Sequence, residues 1–362
     1  MNRQLNIPLN RHMSRRMSRM NRRRATAAGA AVLLPLVLLT ACGGSGNRDD
    51  NGGAAGAAEV ELTLAHSYTE DQPQHTCGAQ VIKEEAEAAD VGITVEVFPN
   101  SQLGGDADRI ASVQSDDVDI DIQGASALAA VYEPAGVVDA AYGFDDAAHL
   151  NRFFTDGSAD QLEQDFKEAS GGVSILGAWS AGARQFTANE PIREPADLEG
   201  LRMRFPGSGQ FLLNAQALGA EATEVAYEEL YLALQQGVVD GQENPLTNID
   251  ASNLVEVQDN VSMSAHQQNS NLIVVAPSYD SELSDEQRTA LDAAVAAAVE
   301  QMPGCVEDAE QEILDTWEQD GSVEIVDDVD QEAFAQQTDA WFSENLSGDS
   351  LAVYEAIRSS AE

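Results

Sequence analysis

Two arginines beside apolar strand-like segments are the residues of this sequence best suited to hold a small anion. Arg184 precedes Phe186, and Arg204 lies in the apolar segment 201–206. Alternation along that segment places Arg202 and Arg204 on one face of a strand. A guanidinium suits a carboxylate because two parallel N–H groups meet its two oxygens. On composition alone, the alternative that each arginine pairs with a nearby acidic side chain at the surface stays open.

Further candidates lie at the ends of predicted strands and at aromatic positions. Ser67 follows the first predicted strand and Ser126 follows the third. Ligands of open α/β sheets bind beyond the strand ends. Trp179, Tyr227 and His266 are candidates for the walls of a cleft, with a core position as the alternative for each.

Sequence motifs of catalytic and cofactor sites are absent from the chain. It contains no GxSxG, P-loop, GxGxxG or HExxH pattern. Its histidines do not have the spacing of metal ligands. With 62 acidic residues, pairs of carboxylates carry no specificity. We therefore expect no catalytic residue, no metal and no cofactor.

The charge of the chain is distributed unevenly along its length. It has 62 Asp and Glu against 19 Lys and Arg, a formal net charge of −43. Eight of the arginines lie in the first 24 residues, so the remainder is even more acidic. Such a surface repels phosphate backbones and anionic membranes, which excludes nucleic-acid binding and membrane binding through a basic patch. A hydrophobic content of 43% argues against disorder.

The N-terminal region has the pattern of an export signal followed by a tether. Residues 1–24 are rich in arginine, and the apolar run 25–39 is too short to span a membrane but typical of a secretory signal. Small residues before Cys42 resemble a bacterial lipoprotein box, in which the signal is cut and the thiol is lipidated. We predict a lipoprotein signal peptide at 1–41 and a flexible tether at 42–58, with an ordinary signal peptide as the alternative. The mature protein would be extracytoplasmic, lipid-anchored to the outer face of the cell membrane, or periplasmic.

Two cysteines remain beyond the signal, Cys77 and Cys305. In an oxidising compartment an even pair at long separation favours a disulfide, which would join the first helix to a helix near the end of the chain. Two free buried thiols are the alternative.

The body of the chain alternates predicted strands and helices. Alternating apolar residues predict strands at 60–64, 93–97 and 118–122, with helices between them. This order argues for a parallel sheet covered by helices. A second α/β unit follows, so that a cleft lies between two units joined by crossing segments. Its predicted strands are 172–179, 201–205, 237–241 and 272–276.

A long helix is predicted near the end of the chain. Ser284 and Gln287 have the spacing of a capping box at its start. Pro303 and Gly304 predict a kink or a break within it.

Four segments of the chain form a distinctive set. In this order and at these separations, they resemble the substrate-binding subunits of TRAP transporters, the dicarboxylate-binding DctP-like type. The resemblance extends from Leu62 to the end of the chain. The segments are 98–104 (FPNSQLG), 182–189 (GARQFTAN), 195–204 (PADLEGLRMR) and 231–245 (YLALQQGVVDGQENP).

The resemblance implies an α/β fold of the two-lobed, periplasmic-binding-protein-like type (class II), with the ligand cleft between the lobes and a long connecting helix. It implies a non-enzymatic extracytoplasmic receptor that binds a small organic carboxylate and delivers it to the small and large membrane subunits of a TRAP transporter. In that family the second arginine of the K/R-h-R motif grips the carboxylate, which is Arg204 here. Arg184 corresponds to the arginine of the G-x-R motif and Asn244 to the asparagine of the Q-E-N-P motif.

We expect a monomer whose lobe I comprises 59–181 and 270–309, and whose lobe II comprises 182–269 and 310–362. Two alternatives stay open. One is a solute receptor for an ABC importer or a sensor kinase. The other, of a different class, is an extracellular enzyme acting on organic acids.

Overall fold

The strands of the protein form one mixed sheet. The structure, a computed structural model, describes residues 59–361, so the predicted signal peptide, the tether and Cys42 lie outside the described residues. The described chain contains nine strands in this sheet. They are β1 (Val60–His66), β2 (Ile93–Phe98), β3 (Ile120–Gln123), β4 (Ser174–Ala188), β5 (Arg202–Phe205), β6 (Glu221–Glu224), β7 (Gly241–Pro245), β8 (Asn260–Val275) and β9 (Glu324–Val326).

The strand order places two parallel groups at opposite ends of the sheet. Hydrogen bonds connect the strands in the order β2-β1-β3-β8-β4-β7-β5-β6, and β9 pairs with β8. The strands β1, β2 and β3 are mutually parallel, as are β5, β6 and β7. The long strands β4 and β8 join the two groups through antiparallel pairing. The parallel β-α-β-α-β unit predicted at the start of the body is confirmed.

Helices cover both faces of the sheet. Their apolar faces pack on it in hydrophobic clusters, of which the largest includes Phe153, Phe166 and Phe342. The helices are α1 (Gln80–Ala88), α2 (Asp106–Gln114), α3 (Ala125–Leu128), α4 (Ala147–Thr155), α5 (Asp160–Ser170), α6 (Gly209–Leu218), α7 (Leu230–Gln235), α8 (Leu246–Ala251), α9 (Ser278–Glu282), α10 (Asp285–Asp320), α11 (Gln331–Asn345) and α12 (Gly348–Ser359).

The long helix α10 begins at the predicted residue but continues past the point where the sequence predicts a kink or a break. Ser284 and Gln287 form the predicted capping box. The predicted break at Pro303 is wrong, because α10 runs through it for 36 residues. Buried side chains on both sides, among them Met302 and Val306, pack into the core, and this packing offsets the loss of one helical hydrogen bond. Within the described residues, no helix combines the length and the apolar character that crossing a membrane requires.

The strands β4 and β8 are far longer than their sequences predict. They contain 15 and 16 residues, whereas apolar runs predicted only 172–179 and 272–276. The missing parts are rich in polar side chains that are nonetheless buried and hydrogen-bonded. The short strand and turn predicted at 237–241 are confirmed only for the turn, because Gly237 adopts φ 65° and β7 begins only at Gly241.

A disulfide joins Cys77 to Cys305, with Cα atoms 6.5 Å apart. Cys77 lies in the π-helical turn Gln74–Ala79 that leads into α1, and Cys305 lies in the middle of α10. The bridge therefore links the first helical segment to the centre of the long helix, as predicted.

We expect the double variant Cys77→Ala/Cys305→Ala to lose about 2–4 kcal/mol of unfolding free energy, because removal of the crosslink gives the unfolded chain more freedom. Urea unfolding measures this loss. Mass spectrometry of the unreduced wild type, digested under denaturing conditions, should show one linked peptide pair that disappears on reduction. Two separate thiol-bearing peptides before reduction would contradict the bridge.

Candidate ligand-binding site

A cavity of about 300 Å³ lies beyond the carboxyl ends of the parallel strands, where ligands of α/β sheets bind. Both parallel groups contribute to it, so its walls come from the two ends of the sheet. The lining includes three arginines together with hydroxyl, amide and carboxylate groups. The polar and charged lining residues are Ser67, Tyr68, Gln72, Asp106, Arg109, Gln123, Ser126, Asp139, Arg184, Arg204, Tyr227, Glu228, Asn244, Asn248, Asn269 and Asn271.

Arg204 projects into the cavity from β5 without a carboxylate partner. Its neighbours Met203 and Phe205 are fully buried on the other face of the strand, which fixes the direction of the arginine. The side chain is 2% exposed, and its Nε donates to the carbonyl oxygen of Val225 at 2.9 Å. Among the described residues no carboxylate forms an ion pair with it. Burial lowers the pKa of Arg204 to about 10.

Arg184, on β4, is by contrast already paired. Its Nε and Nη2 donate to the two carboxylate oxygens of Glu243, the second bond being 2.8 Å long. Its Nη1 donates to Asn269 at 2.6 Å and its Nη2 to Asn244 at 3.2 Å, and the guanidinium lies 4.9 Å from the ring centre of Phe211. Burial alone would raise the pKa of Glu243, but Arg184 and His266 together more than offset it, so this pKa lies below its usual value.

A third arginine, Arg109 on α2, also lines the cavity. Its Nε donates to Asp121 at 2.9 Å, its Nη2 to Asp106 at 2.8 Å and its Nη1 to Ser67 at 2.8 Å. The sequence did not indicate this residue, because it lies in a short amphipathic helix among acidic neighbours, as a surface arginine would. Two acidic side chains compensate its charge.

Six of the eight predicted ligand-binding residues line this one cavity. Three lie on β4, β5 and β7, one directly follows β1, one lies in α3 after β3, and one lies in the turn after β6. The six are Ser67, Ser126, Arg184, Arg204, Tyr227 and Asn244.

The other two predicted residues, Trp179 and His266, are absent from the lining and lie one layer behind it. The indole N–H of Trp179 donates to the lining residue Asn271 at 3.3 Å. The Nε2 of His266 lies 3.4 Å from a carboxylate oxygen of Glu243, and its ring stacks on Phe186 with 4.2 Å between centroids. Both side chains thus hold groups that line the cavity or anchor its arginines.

Asp139 and Gln123 add hydrogen-bond acceptors to the lining of the cavity. Asp139 accepts from the Oγ of Ser270 at 2.6 Å and from the backbone N–H of Ser126 at 2.7 Å, and burial raises its pKa. The Oε1 of Gln123 is buried without a partner. Neither residue has a sequence signal beyond its place after a predicted strand or turn. In the part of the chain that the structure describes, no group of acidic, histidine or cysteine side chains is arranged to hold a metal ion.

A side-chain hydrogen bond joins lining residues that are far apart in the sequence. The Nε2 of Gln72, between β1 and α1, donates to the Oδ1 of Asn248 on α8 at 2.9 Å, across 176 residues of sequence. Both side chains line the cavity. The bond therefore connects the two walls directly.

Two walls of α/β structure, joined by crossing strands around a polar cavity, define a two-lobed solute-binding protein. A crystal structure of a TRAP periplasmic solute-binding protein from Roseobacter denitrificans with bound L-galactonate has the same fold. The TM-score is 0.75 at 31% sequence identity, over 83% of this chain and 99% of that one.

The chain belongs to the bacterial extracellular solute-binding proteins of family 7 (DctP), whose family model matches residues 64–347. A solute-binding protein of Roseobacter denitrificans is 34% identical over 68% of this chain and 75% of its own. The C4-dicarboxylate-binding periplasmic protein DctP of Rhodobacter capsulatus is 31% identical over 79% of this chain and 84% of its own. The predicted family and the two-lobed α/β fold are confirmed. The family consists of extracytoplasmic substrate-binding receptors of transporters.

We expect Arg204→Met to raise the unfolding free energy of the ligand-free protein. Because burial lowers the pKa of Arg204 to about 10 in the folded state, the charged form is disfavoured by folding at every pH below that value. Replacing it by an apolar side chain of similar length should add about 1–3 kcal/mol at pH 7. Urea unfolding after removal of ligand by refolding measures the change.

Arg184→Met is the matched comparison and should act in the opposite direction. It leaves Glu243 buried without its partner, which costs about 3–5 kcal/mol. If both variants lose stability to the same extent, the distinction between a paired and an unpaired arginine is wrong.

Proposed function

We propose that this protein is a non-enzymatic receptor that binds a small organic carboxylate in the cavity and delivers it to TRAP membrane subunits. The observation that carries the proposal is the buried, unpaired guanidinium of Arg204 in the cavity of a family 7 protein. Relatives support the ligand class. The structure from Roseobacter denitrificans holds L-galactonate, and one from Shewanella oneidensis, 25% identical, holds succinate.

The energetics of Arg204 fit such a ligand. Each charge-assisted hydrogen bond contributes about 1.5–3 kcal/mol. Two such bonds from the Arg204 guanidinium, with a few hydrogen bonds between uncharged groups, therefore approach the roughly 8 kcal/mol of a micromolar complex. Folding has already removed most of the water around the guanidinium. A carboxylate that binds it therefore offsets a desolvation free energy that the ligand-free protein has already lost. Arg184 contributes to ligand binding indirectly, because its hydrogen bonds hold Asn244 and Asn269 at the cavity wall.

We propose closure of two lobes as the mechanism. Lobe I comprises 59–181 and 270–309, and lobe II comprises 182–269 and 310–362. Arg204 and Asp139 then belong to different lobes, so a ligand that contacts both binds the closed state better and raises its population. The bulges of the crossing strands near Gly182 (φ 96°) and Ala265 (φ 44°) supply places where β4 and β8 can bend.

Arg204→Ala should abolish binding of the organic acid that wild-type protein takes up, a loss of at least 100-fold in affinity. A thermal-shift screen across organic acids identifies that acid, because ligand binding to the folded state raises the melting temperature. Isothermal titration calorimetry then measures affinity, and recovery of the ligand unchanged confirms that no reaction occurs.

Arg202→Ala is the matched control for that variant. Arg202 lies two residues away on the same strand, but it is exposed and pairs with Asp240 at 2.6 Å. Its removal should leave affinity within twofold of wild type. Equal effects of both variants, or full affinity in Arg204→Ala, would refute the assignment.

We also propose that the protein is a monomer, anchored through a lipid on Cys42 after cleavage of the signal peptide 1–41 and linked to its body by the tether 42–58. Cys42→Ala should move the expressed protein from the membrane fraction to the soluble extracytoplasmic fraction, while Cys305→Ala should not. An unchanged distribution would reject the anchor, and a dimer mass in light scattering would reject the monomer.

A further inference from the structure

The charges around the cavity indicate how many negative charges its ligand carries. Arg184 is matched by Glu243, and Arg109 is matched by Asp121 and Asp106. Only Arg204 of the three lining arginines lacks a carboxylate partner among the described residues. Glu243 and the lining residue Glu228 act on Arg204 electrostatically without forming an ion pair with it. The cavity therefore has one arginine free of ion pairs that can hold a ligand carboxylate.

The part of the lining around Asp139 is unsuited to a second carboxylate. Asp139 lines it with a carboxylate whose oxygens accept hydrogen bonds from Ser270 and Ser126, and Gln123 adds a buried carbonyl oxygen without a donor. A second ligand carboxylate there would face a like charge and an acceptor. A hydroxyl or an ammonium group would instead donate to both.

Some of the amide donors nearby are already used within the protein. Both N–H groups of Asn271 are used, toward Tyr68 at 2.6 Å and the carbonyl of Ser270 at 2.9 Å. The amide of Asn244 donates to Gln242 at 2.5 Å. The amide of Asn269 and the hydroxyl of Ser126 also line the cavity. The negative charge of Asp139, rather than a lack of donors, is therefore what disfavours a second carboxylate here.

We propose that the cavity selects carboxylates with a single negative charge that carry a hydroxyl or ammonium donor distant from the carboxylate, and that it discriminates against dicarboxylates. The donor binds Asp139 and Gln123 while Arg204 holds the carboxylate. This inference rests on the proposed function and specifies the class of ligand at the same site.

Two matched ligand series test the inference on the full-length protein by calorimetry. The four-carbon series is butyrate, 4-hydroxybutyrate, 4-aminobutyrate and succinate, which differ only at the end remote from the carboxylate. The six-carbon pair is gluconate and glucarate. We expect the hydroxy or the amino acid to bind at least tenfold more tightly than succinate and than butyrate, or gluconate to bind at least tenfold more tightly than glucarate.

Whichever of 4-hydroxybutyrate and 4-aminobutyrate binds more tightly identifies whether Asp139 and Gln123 prefer a hydroxyl or an ammonium donor. Preference for succinate or glucarate overturns the inference and leaves the proposed function intact. If no acid of either series and none in the wider screen binds, the proposed function itself fails.

Asp139→Asn tests the residue that carries the discrimination. It removes the negative charge but keeps an acceptor, so the ratio of monocarboxylate to dicarboxylate affinity should fall at least tenfold. Asp119→Asn is the matched control, since Asp119 also accepts a backbone N–H bond, from Thr63 at 2.7 Å, but does not line the cavity. A purely structural role of Asp139 would lower all affinities together and leave the ratio unchanged, which would overturn the assignment. If Asp139→Asn does not fold, the wild-type ligand series decides.

Discussion

A charged side chain buried without an ion pair is among the most costly features a protein interior can contain, and the cavity of this protein is arranged around one. Arg204 keeps its charge in a site where burial lowers its pKa to about 10. Among the arginines that line the cavity, only Arg204 has this unfavourable desolvation free energy without an ion pair to offset it. Ion pairs satisfy the other two arginines, and the buried faces of β5 hold Arg204 in place. The empty receptor thus has a local electrostatic imbalance that a carboxylate corrects.

The crossing strands make this arrangement possible. The residues of β4 and β8 between the two parallel groups include Arg184, Asn269, Ser270 and Asn271, which are all buried and hydrogen-bonded. A buried polar network is stable only when each member finds a partner. Arg184 and Trp179 bond across the two strands to Asn269 and Asn271, while Ser270 bonds to Asp139 on a neighbouring segment. The same strands therefore serve as the connection between the walls and as the floor of the cavity.

The sequence predicted those parts of the molecule in which local pattern and tertiary role agree. Alternation identified β1 and β2, the capping box identified the start of α10, and the rarity of arginine together with the family resemblance identified Arg204. It could not predict the polar halves of β4 and β8, because side chains such as Gln267 read as solvent-facing when their partners are unknown.

The missed parts of the site have similar causes. Arg109 and Asp139 are distinguished only by which groups the fold places next to them, and no local pattern records that. Pro303 does not break α10, because core contacts on both sides outweigh a local preference that acts on one hydrogen bond. Sequence reasoning therefore found the buried arginine that lacks an ion pair and missed the residues whose role depends on neighbours distant in the chain.

The position of β8 has a consequence for how the chain acquires its shape. This strand comes late in the sequence, yet it lies in the centre of the sheet between β3 and β4. Until it arrives, β3 presents an unpaired edge, and the disulfide that spans 228 residues cannot close. Non-local pairing of this kind slows folding. A nascent chain cut before residue 260 would hold neither wall in its final form, so the two lobes cannot be obtained as independently folding fragments of continuous sequence.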